Sequence, residues 1–364
     1  MLAAIGIAIA ALVAHGRALP HPFHLDDPIL IVGDPRVTTC DVAAIFSQEY
    51  WPGEAGGNRV WRPLTTLSLA LQWQITHAAW AFRSVNSMIH VLAALALFLL
   101  ARRVLGAAMP AFAAAALFVV HPLHTTPLNQ IIDRADLLAT ALTLLSCVLA
   151  IGAAETRQAW RSAVLMLLIA AALLCKESAI AVVGMLIALH VFTARRGSGE
   201  DEAAGRSRGL LRDWTARVYL PACVAIGGVL LVRLLVLGGV GRSTDAINPL
   251  DNILANPALV LAPGESAYLA RWGTPLAVLA VALGKFAWPS PLSWDYSYAA
   301  IDVVRSWRDP RFLAGVLLVI GAIASAAISL RRTRRTFAAI ALTASAYAVV
   351  ANVAIVIGAL FAER

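Results

Sequence analysis

The feature that most constrains this chain is a series of apolar runs, each about as long as a helix must be to cross a bilayer. Roughly 20 apolar residues at 1.5 Å each cover the ~30 Å of hydrocarbon. Such runs recur at Leu2–Leu19, Phe82–Arg103, Ala107–His121, Ala135–Ala154, Trp160–Cys175, Ser178–Thr193, Val218–Leu237, Phe312–Leu330 and Phe337–Leu360. Only 14% of the residues are charged, against about 25% in a soluble domain. The runs therefore read as membrane spans, not as buried helices of a soluble core. No strand-length alternation between turns suggests an outer-membrane barrel. The expected fold is all-α, a polytopic helical membrane protein with about nine spans.

The stretch Ala267–Trp288 is as apolar as the others, but charge bookkeeping sets it apart. Cytoplasmic loops of membrane proteins collect Lys and Arg. With the N-terminus in the cytoplasm, Arg102-Arg103, Arg157 with Arg161, and Arg195-Arg196 through Arg217 all fall inside. For Arg331-Arg332-Thr333-Arg334-Arg335 to fall there too, an even number of crossings must separate it from Arg217. Ala267–Trp288 is accordingly expected to lie along the membrane or re-enter it, broken by Pro275, Pro289 and Pro291. One membrane domain then covers 1–364. It has a first outer loop over 20–80 with interfacial helices, a cytoplasmic loop over 194–217 and a second outer loop over 238–310. The first run is expected to be a retained span, since it lacks the basic leading region of a signal peptide.

The net charge of +8 comes almost entirely from arginine, Lys176 and Lys285 being the only lysines. Because these arginines sit between apolar runs, the balance reflects membrane topology and not nucleic-acid binding. The four cysteines have no metal-ligand spacing.

On this topology the polar groups gather on the outer side. Asp26-Asp27 follows the first span, and adjacent carboxylates at a membrane surface call for partners, solvent or a function. They suit a divalent cation or a general base; the plainer reading is a solvated loop. Arg62 opens an amphipathic segment and would either snorkel or hold phosphate oxygens with its planar fork. His121 and His124 have the i, i+3 spacing of a metal pair, although Pro122 argues for a turn. Arg134 and Asp136 open the fourth span, either as a mutual ion pair or as site residues. Lys176-Glu177 joins two spans almost without a loop, as an interfacial anchor or as a cation facing an anionic headgroup. Ser293-Trp294-Asp295-Tyr296 follows Pro-Ser-Pro, where aromatics form an interfacial belt by default.

Taken in order, these motifs resemble one family. Asp26-Asp27, Arg62-Pro63-Leu64-Thr65, Val85-Asn86-Ser87-Met88-Ile89-His90, His121-Pro122-Leu123-His124-Thr125, Arg134-Ala135-Asp136-Leu137-Leu138, Lys176-Glu177, Leu292-Ser293-Trp294-Asp295-Tyr296-Ser297-Tyr298 and Ala362-Glu363-Arg364 run through the whole chain. The pattern is similar to the membrane part of the TMTC family, transmembrane O-mannosyltransferases, and their bacterial relatives. It departs at Thr126-Pro127-Leu128, at Asp133 and at Ser178-Ala179, and it stops where family members continue. The resemblance implies a GT-C fold, a chain cut short relative to the family, and an active site on the extracytoplasmic face of a bacterial inner or plasma membrane. It further implies transfer of a sugar, mannose in the family, from a polyprenyl-phosphate carrier to a hydroxyl of a protein or glycan.

In that reading Asp26 or Asp27 is the general base of an inverting transfer. Arg62, Arg134 and Lys176, helped by His121 or His124, surround the phosphate, with Asp136, Glu177, Asp295 and Tyr296 nearby. A divalent cation held by Asp26, Asp27 and His124 is a variant. Rival expectations are a transporter or flippase of anionic or lipid-linked solutes, and an assembly partner whose catalytic centre has decayed.

Overall fold

A computed structural model describes residues 2–51, 59–156, 158–194, 211–238, 252–293, 296, 300–353, 356 and 360–361. All regular structure among them is helical, as the apolar runs predict. Among the described residues six helices are long and apolar enough to cross a membrane: Ala79–Leu105, Ile131–Glu155, Glu177–Ala194, Leu211–Leu237, Ala267–Ala287 and Pro310–Arg332. Counting the bent pair Ala108–Val120 and Pro122–Asn129 as one span gives seven, while Leu2–Ala18 and Ala159–Cys175 are shorter apolar helices. The chain divides into two compact units, 1–240 and 241–364.

In the first unit, α1 (Leu2–His15) leads into a folded segment with two short helices, α2 (Pro35–Thr38) and α3 (Val42–Ser47). Asp34 caps α2 through the Arg36 amide and grips the Arg36 guanidinium at 2.6 Å. Arg36 in turn donates to the Glu49 and Tyr50 carbonyls. That buried pair fixes the backbone from which Tyr50 projects. The amphipathic α4 (Pro63–Trp73) starts with proline, whose preset φ suits a first helical turn. It buries Thr65, Thr66, Leu69 and Ala70.

Next come α5 (Ala79–Leu105), α6 (Ala108–Val120), the short α7 (Thr125–Asn129), α8 (Arg134–Glu155), α9 (Ala159–Cys175), α10 (Val182–Ala194) and α11 (Leu220–Leu237). Gly106 ends α5 at φ 74°, in the left-handed region where a side chain is strained, and lets the chain turn directly into α6. α8 is the centre of the unit, packing against α5 and α9 and burying Ala135, Ala139, Cys147, Ala150 and Ala153. Small residues let these backbones approach where no hydrophobic effect drives helices together. α5 and α8 run in the same direction, since Arg134 bonds Asn86 near one end and Arg103 bonds the Val148 carbonyl near the other. α9 returns, so that Lys176 meets Asp136.

The second unit holds α12 (Ala267–Ala287), α13 (Pro310–Arg332) and α14 (Arg334–Ala348). Two expectations are corrected here. Pro275 lies inside α12 without breaking it, and the helix is continuous and long enough to span. Within the span expected over Phe337–Leu360, the helix runs to Ala348 and residues 349–353 form turns and bends. α12 and α13 touch at Gly315, where any Cβ would collide with the Leu276 carbonyl. Outer residues of α13 such as Leu317, Ile320 and Ile323 are more than half exposed. An apolar exterior of this kind is what lipid solvates and water does not.

Candidate active site

The acidic pair that the sequence singles out splits into two different environments. Leu25, just before the pair, holds a left-handed φ of 55°. The Asp27 carboxylate is completely buried. It accepts the amides of Ile132 at 3.1 Å and His24 at 3.4 Å, with the buried Arg83 guanidinium 3.9 Å away. Burial pushes its pKa up to about 6, although those amides and the charges of His24 and Arg83 pull the other way. Arg83 also ties down the loop, donating to the His21, Pro22 and Asn129 carbonyls. Asp26 is only partly buried, and its side chain accepts one neutral hydrogen bond, from Gln130 at 3.2 Å. One aspartate therefore fastens the loop to the start of α8, while its neighbour keeps lone pairs accessible.

Around this corner the predicted cations take up distinct partners. Arg134 is 1% exposed and donates to Asn86, Gln72 and the Ser68 and Phe82 carbonyls. The mutual ion pair with Asp136 does not form. Asp136 instead receives Lys176 at 2.5 Å. Glu177 accepts Arg62 through Oε2 and Arg233 through Oε1, both at 3.3 Å, and also the Trp61 amide. Thr65 donates to the Cys175 carbonyl at 3.0 Å, which pins α4 against the end of α9 and brings Arg62 to Glu177.

Tyr50 connects the two halves. Its ring lies 5.1 Å below the Arg62 guanidinium, and it is within electrostatic reach of Asp27, Asp133 and Asp136. Its buried hydroxyl has no hydrogen-bond partner, and burial raises its pKa. Arg62 pairs with Glu177 and Lys176 with Asp136, Tyr50 lies within electrostatic reach of Asp27, Arg62 and Asp136, and Asp26 adjoins Asp27 in the chain.

The histidines do not join the carboxylates as a metal set. The His124 ring packs at a tilt against Phe118 at 4.4 Å and His90 at 5.1 Å, while His15 and His90 both reach the Val119 carbonyl. Among the described residues no three His, Cys, Asp or Glu side chains could hold a metal ion, so the cation site of Asp26, Asp27 and His124 is not formed. Asp295 lies outside the described residues, and Tyr296 packs on Phe361 in the second unit.

Sequence reasoning missed Tyr50, Gln72, Arg83, Gln130 and Arg233. Arg233 had a visible signal, an arginine inside an apolar run. Tyr50 and Gln130 had none, because only tertiary contacts single them out.

Residues 63–200 match the model of the dolichyl-phosphate-mannose-protein mannosyltransferase family, and residues 256–323 match a second model, protein O-mannosyl-transferase TMTC. The chain is 29% identical to protein O-mannosyl-transferase Tmtc1 of Drosophila melanogaster over 84% of its own length and 35% of that protein. It is 28% identical to Tmtc2 of the same organism over 73% of the chain and 27% of the relative. With human TMTC1 the identity is 34% over 40% of the chain and 17% of the relative. The chain is similar to the TMTC protein O-mannosyl-transferases, as the motif order implies, and spans about a third of the length of those it matches over most of its own.

Proposed function

We propose that this membrane protein is a glycosyltransferase that moves mannose from a polyprenyl-phosphate carrier to a hydroxyl of a protein acceptor on the extracytoplasmic face. The observation that carries this reading is the division of labour between Asp26 and Asp27. A general base needs a carboxylate that an incoming hydroxyl can reach. Asp26 is partly exposed and Asp27 fully buried, which supports Asp26 as the base.

In the proposed step the acceptor hydroxyl attacks the anomeric carbon while Asp26 takes its proton. The bond from that carbon to the phosphate oxygen breaks, and polyprenyl phosphate leaves with the electron pair. A single displacement of this kind inverts the anomeric centre. Arg62 and Lys176 stand where the leaving phosphate gathers charge, where prepositioned cations are most effective. Asp136 and Glu177 hold those cations in place before the donor arrives. Arg134 acts as a positioning residue, its guanidinium being taken up by protein oxygens, and Asp27 with Arg83 holds the loop that presents Asp26.

The test is transfer from radiolabelled polyprenyl-phosphate mannose to peptide acceptors in proteoliposomes. Asp26→Asn should cut turnover about 10²- to 10⁴-fold, the usual worth of a general base, with donor binding retained. Unchanged turnover in Asp26→Asn would overturn the assignment. Donor movement across the bilayer without transfer would point to a flippase.

A further inference from the structure

The other end of α8 carries a second arrangement of charge, about 24 Å along the helix from Asp136 to Gly152 at 1.5 Å per residue. A cavity of about 350 Å³ opens there, with Arg103, Gly152, Trp160 and Arg161 at its polar end and Leu145, Leu149, Val164 and Leu168 along its walls. The two arginines converge on Gly152. A Cβ built on that glycine would lie 2.5 Å from Arg161 Nη1 and 3.7 Å from Arg103 Nη1, so the two nitrogens are at most about 6 Å apart.

Like charges this close need an anion between them or beside them. Among the described residues neither arginine has a carboxylate partner. Arg103 donates only to the Val148 carbonyl, and the Arg161 Nε is buried without any hydrogen-bond partner. Trp160 is 57% exposed and lies 5.4 Å from the Arg161 guanidinium, an aromatic placed as interfacial aromatics are. The site is cationic at one end and apolar over the rest, on the outer surface of helices that cross the bilayer.

We propose that this groove binds the headgroup phosphate of an anionic phospholipid between Arg103 and Arg161, with an acyl chain along Leu145, Leu149, Val164 and Leu168. Guanidinium forks match phosphate oxygens and are stronger donors to them than neutral groups are. Free phosphate would satisfy the arginines alone and leave the apolar walls uncovered. A bilayer phospholipid satisfies both. The site is separate from the candidate active site and does not depend on the reaction assigned there.

The experiment uses the full chain in detergent. Dioleoyl phosphatidylglycerol, dioleoylglycerol and glycerol 3-phosphate are added separately, and retained ligand is read by native mass spectrometry together with the melting temperature. Phosphatidylglycerol should be retained and raise the melting temperature, and the other two should do neither. Arg103→Gln with Arg161→Gln should lower phosphatidylglycerol retention about tenfold or more, and Leu149→Trp, which fills the groove, should lower it with both arginines in place. An equal response to dioleoylglycerol would reduce the groove to an apolar contact, and an equal response to glycerol 3-phosphate would make it a simple anion site; either overturns the proposal. So does unchanged retention in the Gln variant or in Leu149→Trp. If a variant does not fold, the three ligands on the unaltered chain decide the matter.

Discussion

The two ends of α8 hold arginines in opposite circumstances. Beside its first turn, Arg134 meets four protein oxygens, and the neighbouring cations Lys176, Arg62 and Arg233 each meet a carboxylate. Beside its last turn, Arg103 and Arg161 crowd the same glycine, with no carboxylate partner among the described residues. Desolvated charge is costly unless it is paired and hydrogen-bonded. The first end therefore carries its partners within the chain, whereas the second leaves that role to the surroundings. A catalytic cation must be in position before its substrate comes, and a lipid-facing cation is always within reach of headgroups.

That contrast can be broken most directly at Arg134. Arg134→Met strands Asn86, Gln72 and two carbonyls, and should cost about 3–5 kcal/mol, read as a large fall in melting temperature. A loss under 1 kcal/mol would mean that the paired end is no better satisfied than the other. Asp27 offers the next largest effect. Its pKa is about 6 in the fold against 3.8 as a free side chain, so folding is favoured by its protonation. That contribution is complete below about pH 4 and is lost as pH rises through 6. Relative to Asp27→Asn, the native chain should lose about 3 kcal/mol of stability between pH 4 and pH 7. Parallel melting curves for the two proteins across that range would remove the argument that burial dominates there.

Glu177→Gln should cost less, about 1–2 kcal/mol, because the Glu177 side chain is 31% exposed. Its sharper consequence should be weaker donor binding as Arg62 loses its support, measured by competition with a lipid phosphate. The smallest effect belongs to the other end: Arg161→Gln, measured in lipid-free detergent, should change stability by less than about 0.5 kcal/mol or slightly increase it, by relieving like-charge repulsion. A loss as large as that of Arg134→Met would erase the difference between the two ends.

Much of this was legible in the residues themselves. Apolar runs mark the helices of the first unit to within a few positions, since bilayer thickness dictates both their length and their composition. Arginine counting, by contrast, leads to a break expected in α12, whose proline is accommodated inside the helix, and the last apolar run passes through turns and bends at 349–353. At the site, the cost of charge in an apolar chain exposes Asp26, Asp27, Arg62, Arg134, Asp136, Lys176 and Glu177. Their pairing is another matter. Arg134 and Asp136 are two apart on a helix and point to different faces, so the pair suggested by adjacency was geometrically unavailable. Lys176 with Asp136 and Arg62 with Glu177 require three helices to come together. The same is true of the Ile132 amide that encloses Asp27 and so leaves Asp26 as the reachable carboxylate.

Glu177 deserves a final consequence. Sitting between Arg62 and Arg233, it already offers these cations the oxygens that a phosphate would bring. With nothing bound it acts as an internal counter-ion, so the cations need not recruit solvent or stray anions. If the proposed transfer takes place here, an arriving phosphate would displace the carboxylate from Arg62, and the carboxylate would reclaim that arginine after the sugar has moved. On that reading the exchange returns Arg62 to its resting partner as the spent carrier leaves.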